Sequence, residues 1–132
     1  MGQYRLKKEE RLSGKKRIDT LFQEGNTIYY SPLRAVWIEA NRAPGRPPAR
    51  MAIAVSRKNF KRAVGRNLIE RRIQEAYHKN KEVLNTWLEE NNRALDMVFI
   101  YTASQIPAYR DIEEKIIVTL QKIIEEYEKV ND

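Results

Sequence analysis

The stretch from Ser56 to Tyr77 constrains the fold of this chain more than any other, because a strand pattern changes there into a strongly basic helix. It holds only two carboxylates, and at about 100° per residue its apolar side chains fall within one arc of a helix that begins near Ala63. Charge of this density repels itself unless an anion lies against it, which is typical of nucleic-acid binding. The seven cations are Arg57, Lys58, Lys61, Arg62, Arg66, Arg71 and Arg72.

Length and composition predict one domain over residues 1–132, since domains commonly run to about 100–150 residues. Cysteine is absent, which excludes disulfides and thiolate chemistry and favours a reducing cytosol. His78 is the only histidine, so a histidine pair or a histidine-based metal cage cannot form, and we expect it on a helix surface. No apolar run approaches the ~20 residues of a membrane helix, and the N-terminus lacks the apolar core of a signal peptide. We therefore expect a cytoplasmic protein without membrane association and without a catalytic centre of its own.

Charge is divided unevenly along the chain. The net charge of +7 combines 20 basic and 7 acidic residues within 1–81 with 5 basic and 11 acidic residues within 82–132. We therefore expect the binding surface in the first two thirds of the sequence. Residues 1–12 are interpreted as a mobile basic arm that folds against a polyanion, and an ordinary frayed terminus explains them equally well.

Residue periodicity predicts an α+β fold with a helix, two or three strands, and then a helix, a strand and a helix, with the helices gathered on one side of a small sheet. With three strands the order is α-β-β-β-α-β-α, which we adopt. A first helix is expected over residues 13–24, with Ser13 as its N-cap and Gly25 at the C-cap position. The nearly continuous apolar run over 95–103 suits a central strand that is covered on both faces. The other predicted elements are strands within 27–40 and over 50–57, a proline-rich loop over 41–48, a long second helix from Ala63 through Leu88, and a third helix over 112–127.

Particular residues narrow the interpretation further. The run from Lys58 to Arg71, followed by Glu75-Ala76-Tyr77, resembles the arginine–asparagine–arginine signature of bacterial ribonuclease P protein subunits. Arg11-Leu12, followed by Ile18, Phe22 and Gly25, is similar to the opening helix of that family, and the apolar run over 95–103 is similar to its last strand. The resemblance therefore covers nearly the whole chain.

The resemblance implies a protein subunit that supports a catalytic RNA. In that family the RNA and its bound Mg²⁺ hydrolyse the phosphodiester that releases the 5′ leader from precursor tRNA, and the protein binds both the RNA and the single-stranded leader. The implied partners are ribonuclease P RNA and precursor tRNA, and no obligate protein partner is indicated. The implied fold is a small α–β sandwich with a left-handed βαβ crossover, against the right-handed default.

The resemblance also assigns roles to residues of the basic stretch. Arg66, Asn67 and Arg71 keep the identities of the signature, and the cations before them match its basic turn. Arginine suits phosphate through its planar fork, whereas lysine adds a less directional attraction. The residues that we expect to bind RNA are Arg57, Lys58, Lys61, Arg62, Arg66, Asn67 and Arg71.

Ile18, Phe22 and Trp37 occupy positions similar to the leader cleft of the family. Exposed aromatic rings in such a cleft stack on unpaired bases, at ~1–3 kcal/mol each. Ordinary core packing is the alternative for each of these side chains. Ile18 stands where the family usually has an aromatic residue, which weakens the expectation of stacking by two rings.

The signature helix also departs from the family pattern. Leu68, Glu70 and Gln74 stand at positions that are usually basic, so this helix is less basic than its counterparts. Arg72 stands where the family tends to have an apolar residue, and we expect it to reach out from the edge of the apolar stripe and to restore part of the lost charge.

Two other classes of function compete with a ribonuclease P subunit. A noncatalytic RNA-binding module, such as a ribosome-associated protein or a translational regulator, would share the charge but would not prefer a single-stranded 5′ extension. An autonomous nuclease would need Mg²⁺-dependent cleavage by the protein alone. The lone histidine and the scattered carboxylates disfavour that class.

Overall fold

The computed structural model describes residues 6–130 and contains a four-stranded sheet with helices on both faces. The predicted order α-β-β-β-α-β-α is confirmed, with the long second helix divided in two at Lys81. The helices are α1 (Lys15–Glu24), α2 (Ala63–Asn80), α3 (Glu82–Glu90) and α4 (Tyr109–Val130), and the strands are β1 (Asn26–Tyr30), β2 (Leu33–Ala40), β3 (Ala49–Val55) and β4 (Ala94–Tyr101), after a short 3-10 turn over Lys8–Glu10.

The strands are arranged in the order β1-β2-β4-β3, so the last strand in the chain lies inside the sheet. β4 pairs antiparallel with β2 and parallel with β3, and all of its residues except Ile100 are buried. The prediction of a central strand from its apolar run is confirmed. Because β3 and β4 are adjacent and parallel, α2 and α3 form a βαβ crossover between them. The left hand of that crossover stays an expectation from the family resemblance.

One face of the sheet is covered by α2, α3 and α4, and we call it the helical face. Successive side chains of a strand point to opposite faces, so Leu33, Ala35 and Trp37 of β2 lie on this side. They join one buried cluster with the apolar stripe of α2 that the helical period predicted. Its ring pairs include Tyr77 and Phe99, whose centroids lie 6.0 Å apart. This face is the main core.

Of the helices within residues 6–130, only α1 lies on the opposite face, where Leu12 also packs, and we call it the α1 face. Val36 of β2 and Val98 of β4 are directly opposite in the register and pack with Leu21 of α1 in a separate, smaller cluster. The prediction that all helices gather on one side was therefore wrong. Both faces of β2 and β4 are apolar, and each must be covered to leave water.

The ends of α1 explain how it is seated on the sheet. Gly25 ends the helix, and a side-chain carbon there would collide with the carbonyl oxygen of Leu21 and with Val36. Only glycine therefore lets the chain pass so closely from α1 into β1. At the other end the N-cap is Gly14, with φ of 99° and no side-chain cap, and not Ser13 as predicted.

The N-terminal segment packs along the outer edge of the sheet. Leu6 and Leu12 are buried, and Leu12 N donates to Met51 O of β3 at 2.9 Å. Glu10 is also buried, and Lys81 Nζ lies 2.6 Å from its carboxylate. For residues 6–12 the prediction of a mobile arm was therefore wrong, because isolated leucines among charges still find apolar cover. Residues 1–5 of that predicted arm lie outside the described residues.

Candidate nucleic-acid interface

Residues 56–62 connect β3 to α2, and we call them the basic turn. Phe60 N donates to Ser56 O at 3.0 Å, and Asn59 Nδ2 donates to Thr102 O at 3.2 Å, which ties the turn to the end of β4. The backbone of the turn is therefore held while its cations face solvent. The exposed side chains are Arg57, Lys58, Lys61 and Arg62, and within residues 6–130 none of them takes part in an ion pair.

Arg66 supports the basic turn from the first turn of α2. It donates to the carbonyl oxygens of Phe60 at 2.5 Å and of Lys61 at 3.1 Å, and its side chain is half-buried. Two bonds from one guanidinium fix the direction of the preceding segment. Arg66 therefore orders the segment that carries the preceding cations. Its guanidinium has fewer N–H groups available for a ligand than that of an exposed arginine.

Asn67 and Arg71 lie one helical turn apart on the solvent side of α2, and both are exposed. The buried residues Ile69 and Ile73 hold the other side of the helix on the sheet. The chain thus brings the predicted RNA-binding residues onto one continuous surface, made of the basic turn and the outer side of α2. Whether each of them binds RNA stays a prediction.

Beside this surface the α1 face is only partly covered, since α1 packs on β2 and β4 and leaves Ala52 of β3 half-buried and Ala54 exposed. We call the surface between α1 and β3 the α1 cleft. Phe22 on α1 is 53% exposed, and Ile18 is half-buried against the small cluster of that face. Ala52, Ala54 and Ile100 lie on the same face by register and contribute small or apolar side chains. Because β3 ends directly at the basic turn, cations stand at one end of this cleft.

Trp37 does not belong to the α1 cleft, and its assignment there was wrong. It is 2% exposed, its ring stacks on Tyr127 with centroids 5.0 Å apart, and its Nε1 donates to Glu126 Oε1 at 3.3 Å. The alternation of β2 places Trp37 on the helical face, one residue out of phase with the cleft. Val36 is the neighbouring residue that points toward α1.

Tyr29 and Arg34 are surface residues of the α1 face that the sequence analysis missed. They are opposite in the β1–β2 register, Tyr29 is 52% exposed, and the Arg34 guanidinium carbon lies 5.4 Å from the centre of its ring. A hydrogen bond with Ser31, and then one with Thr102, lowers the pKa of the Tyr29 hydroxyl. Pairing the two strands of a hairpin around Ser31 and Pro32 would have predicted this juxtaposition.

The sequence of this chain is similar to the sequences of known proteins. The sequence model of the Ribonuclease P family matches residues 6–124. A protein of Porphyromonas gingivalis strain ATCC 33277, named Ribonuclease P protein component, is 33% identical over 118 residues, which are 89% of this chain and 85% of that protein.

The chain belongs to the ribonuclease P protein family.

Solved structures of ribonuclease P proteins share this fold. The protein of Thermotoga maritima is 23% identical, with a TM-score of 0.68 over 86% of this chain and 96% of that one. The protein of Staphylococcus aureus is 19% identical, with a TM-score of 0.64 over 86% of this chain and 94% of that one. The family resemblance and the α+β fold inferred from the sequence are therefore confirmed.

This member of the ribonuclease P protein family departs from the signature in ways that the structure locates. Leu68 lines an apolar groove of about 440 Å³ beside Phe60, Val64 and Ile106, while Glu70 and Gln74 face a groove along the N-terminal segment. Arg72 donates to the carbonyl oxygen of Pro107 before α4, so its guanidinium is used within the protein. A carbonyl acceptor does not neutralise the guanidinium, so the expectation that Arg72 restores part of the lost charge stays a prediction.

Among the described residues of this family member, no three or more histidine, aspartate or glutamate side chains are grouped closely enough to hold a metal ion. No helix over residues 6–130 combines the length and the apolar character that crossing a membrane requires. His78 is half-buried on α2, and burial, followed by the nearby charge of Lys81, lowers its pKa.

Proposed function

We propose that this chain is the protein subunit of ribonuclease P, which binds the catalytic RNA and the 5′ leader of precursor tRNA and promotes endonucleolytic removal of the leader. The observation that carries the proposal is the continuity of the basic turn with the α1 cleft. The basic turn, whose exposed cations suit phosphates, directly follows β3, and β3 borders the partly covered α1 face that bears the exposed ring of Phe22. Proteins that bind single-stranded RNA combine these two features, cations for the backbone and aromatic rings for the bases.

The two parts of this surface have different tasks in the proposal. The basic turn and the outer side of α2, with Arg71 and Asn67, bind phosphates of the folded catalytic RNA. Phe22 stacks on a base of the leader in the α1 cleft, and Tyr29 with Arg34 extends the apolar and cationic surface toward β1. Arg66 acts through the basic turn by holding its carbonyl groups, and is a positioning residue.

The chemical step belongs to the RNA in this proposal. Mg²⁺ bound mainly by the RNA would activate the attacking water and stabilise the leaving oxygen. The protein would hold the leader and neutralise phosphate charge, so that less metal is needed to assemble substrate and catalyst. Such an enzyme works where precursor tRNA is made, in the cytoplasm.

Reconstitution tests the proposal directly. Purified protein, added to a bacterial ribonuclease P RNA at low Mg²⁺, is expected to raise the rate of precursor-tRNA cleavage and to do nothing without the RNA. The reconstituted complex is also expected to bind precursor tRNA more tightly than mature tRNA. Cleavage by the protein alone would support an autonomous nuclease. RNA binding without stimulation and without preference for the precursor would support the noncatalytic RNA-binding module.

Arg71→Ala and Arg66→Ala separate direct binding from positioning in the same assay. Both are expected to weaken assembly with the RNA. Only Arg66→Ala is expected to increase hydrogen exchange of the backbone amides in residues 57–62, because it removes the bonds to Phe60 O and Lys61 O. Equal exchange in the two variants would contradict the positioning role.

A further inference from the structure

A second basic cavity lies at the end of the α1 face opposite to the basic turn. It has a volume of about 660 Å³ and is bounded by the N-terminus of α1, by the loop between β2 and β3, and by β3 itself. Nothing in the family signature points to it. The charged side chains around it are Arg17, Arg46, Arg50, Asp96 and Glu39.

The arginines in this cavity are not balanced by its carboxylates. Asp96 is 2% exposed and receives Arg17 Nε at 2.6 Å and Arg46 Nη2 at 2.7 Å. Glu39 pairs with Arg93 instead. Arg50 stands beside Asp96 in the β3–β4 register, and within residues 6–130 it has neither an ion pair nor a hydrogen bond. The cavity therefore holds more positive than negative charge.

Two guanidinium groups also present buried N–H donors without acceptors. The Nε atoms of Arg46 and Arg50 are inaccessible to solvent and have no hydrogen-bond partner among the described residues. The side chain of Arg46 as a whole is only 10% exposed. A phosphate would reach the accessible terminal nitrogens and not these Nε atoms. Arg50 is half-buried, its terminal nitrogens have no partner within residues 6–130, and arginine forks match the oxygens of a phosphate. The first turn of α1, which has no side-chain cap, adds free backbone N–H groups at the same end of the cleft.

We propose that this cavity binds a backbone phosphate of the single-stranded leader, as a second anchor beyond the α1 cleft. The inference rests on the proposed function, since it extends the path of the leader from the basic turn along β3 to Arg50. That path follows residues 50–56 and is about 20 Å long at ~3.3 Å per residue. Only a leader of several nucleotides can span it. The site therefore makes the protein sensitive to leader length.

Arg50→Met tests the site, because it removes the unpartnered guanidinium and keeps an unbranched apolar stem. The matched control is Arg42→Met, which removes the same charge from an exposed position of the neighbouring loop. Binding of precursor tRNAs with leaders of two and of about ten nucleotides is measured with the reconstituted complex, the longer one lying within the ~4–16 nucleotides that small single-strand-binding folds cover. The original chain is expected to bind the long-leader substrate more tightly.

For Arg50→Met we expect about a tenfold loss of affinity for the long-leader substrate and no loss for the short one. The log–log salt slope for the long leader should fall by ~0.7, the value for one phosphate contact with a single strand. Arg50→Lys should keep part of the affinity, and Arg42→Met should behave like the original chain at both lengths. A neutral methylphosphonate linkage at the anchored leader position should weaken the original chain and leave Arg50→Met unchanged.

Equal affinities of Arg50→Met and the original chain at both leader lengths would overturn the site, even though cleavage is stimulated normally. An equal loss at both lengths, accompanied by weaker binding of the catalytic RNA alone, would place a phosphate of that RNA in the cavity and overturn its assignment to the leader. A protein that stimulates no cleavage at all would instead refute the proposed function, which is a separate result. Thermal unfolding of Arg50→Met, expected to match that of the original chain, shows that each comparison is made on folded protein.

Discussion

The helical face and the α1 face of the sheet carry aromatic side chains of the same kind and surround them differently. On the helical face Trp37 of β2, Tyr77 of α2 and Tyr127 of α4 are buried between the sheet and the helices, and burial raises the pKa of the Tyr77 and Tyr127 hydroxyls. On the α1 face Phe22 and Tyr29 are more than half exposed, and hydrogen bonds lower the pKa of the Tyr29 hydroxyl. One face is thus a dry core and the other is an open surface.

The difference follows from how many helices each face receives. Three helices close the helical face, whereas the ten residues of α1 cover only a strip of the other. An exposed ring loses the free energy of burial, about 25 cal/mol per Å², unless a ligand restores it. The α1 face is therefore the side on which substitutions should change binding, and the helical face is the side on which they should change stability.

Trp37→Ala is expected to have the largest effect and to act on stability alone. Removing a buried Trp ring that stacks on Tyr127 should lower the free energy of unfolding by ~3–5 kcal/mol. Urea denaturation followed by circular dichroism measures the loss. At a temperature where the variant stays folded, its preference for precursor over mature tRNA should be unchanged. A selective loss of leader binding would contradict this prediction and would support a role of Trp37 in leader binding.

Phe22→Ala should show the opposite behaviour. Loss of a stacking ring is expected to weaken binding of precursor tRNA by ~1–3 kcal/mol. Because the side chain is 53% exposed, the free energy of unfolding should change by less than ~0.5 kcal/mol. Comparing precursor with mature tRNA isolates the contribution of the leader. A drop in stability without a change in that comparison would make Phe22 an ordinary packing residue.

Arg34→Gln tests whether the open surface reaches as far as β1. Arg34 lies over the exposed ring of Tyr29, in a contact worth ~0.5–1 kcal/mol at exposed sites. We expect leader binding to weaken by a similar amount, with Arg42→Gln as the control for loss of one exposed charge. Identical behaviour of the two variants would limit the binding surface to the α1 cleft and the basic turn.

The smallest expected effect is a pH dependence of folding stability, which arises from His78 on α2, on the helical side of the sheet. Burial holds the pKa of His78 below its usual 6.5, so the unfolded chain takes up a proton more readily than the folded one. The contribution of His78 to stability is therefore present above pH 6.5 and is lost as the pH falls through that value toward the folded pKa. Denaturation midpoints at pH 5 and 7 should differ less for His78→Gln than for the original chain. Equal differences would contradict the shift.

The parts of the fold that sequence could predict are those with one apolar face. The stripe of Ile69 and Ile73 on α2, and the run of β4, each fix an orientation by period alone. In β2 the side chains that point to either face of the sheet are mainly apolar. The two-residue period of a strand therefore places Trp37 and Val36 on opposite faces, but it does not tell which of the two faces α1 covers. The side of the sheet that a helix covers is a tertiary property, and this is why Trp37 was wrongly placed in the cleft; the role of Phe22 stays a prediction.

The candidate site divides in the same way. The cations of the basic turn are contiguous in sequence, and their density alone pointed to them. The second cavity joins Arg17 and Arg46 to Asp96, which are 79 and 50 residues distant from it, and no local pattern signals such a meeting. The composition of the proline-rich loop over 41–48 does not predict that the side chain of its Arg46 is largely buried.

The position of β4 in the sheet also determines at which point of its synthesis the chain can complete the sheet. Within residues 6–130, β4 is the only strand that pairs with β3, apart from a single bridge between Arg11 and Met51. The 38 residues 56–93 separate β3 (Ala49–Val55) from β4 (Ala94–Tyr101). A nascent chain that stops before β4 can form the β1–β2 hairpin but cannot seat β3 or the helix that follows the basic turn. Closing so long a loop costs conformational entropy, and the contacts that offset this cost form only when β4 inserts between β2 and β3. We therefore expect an interrupted translation product to carry the stretch that we propose binds RNA without the fold that arranges it, and not to compete with the finished protein for RNA.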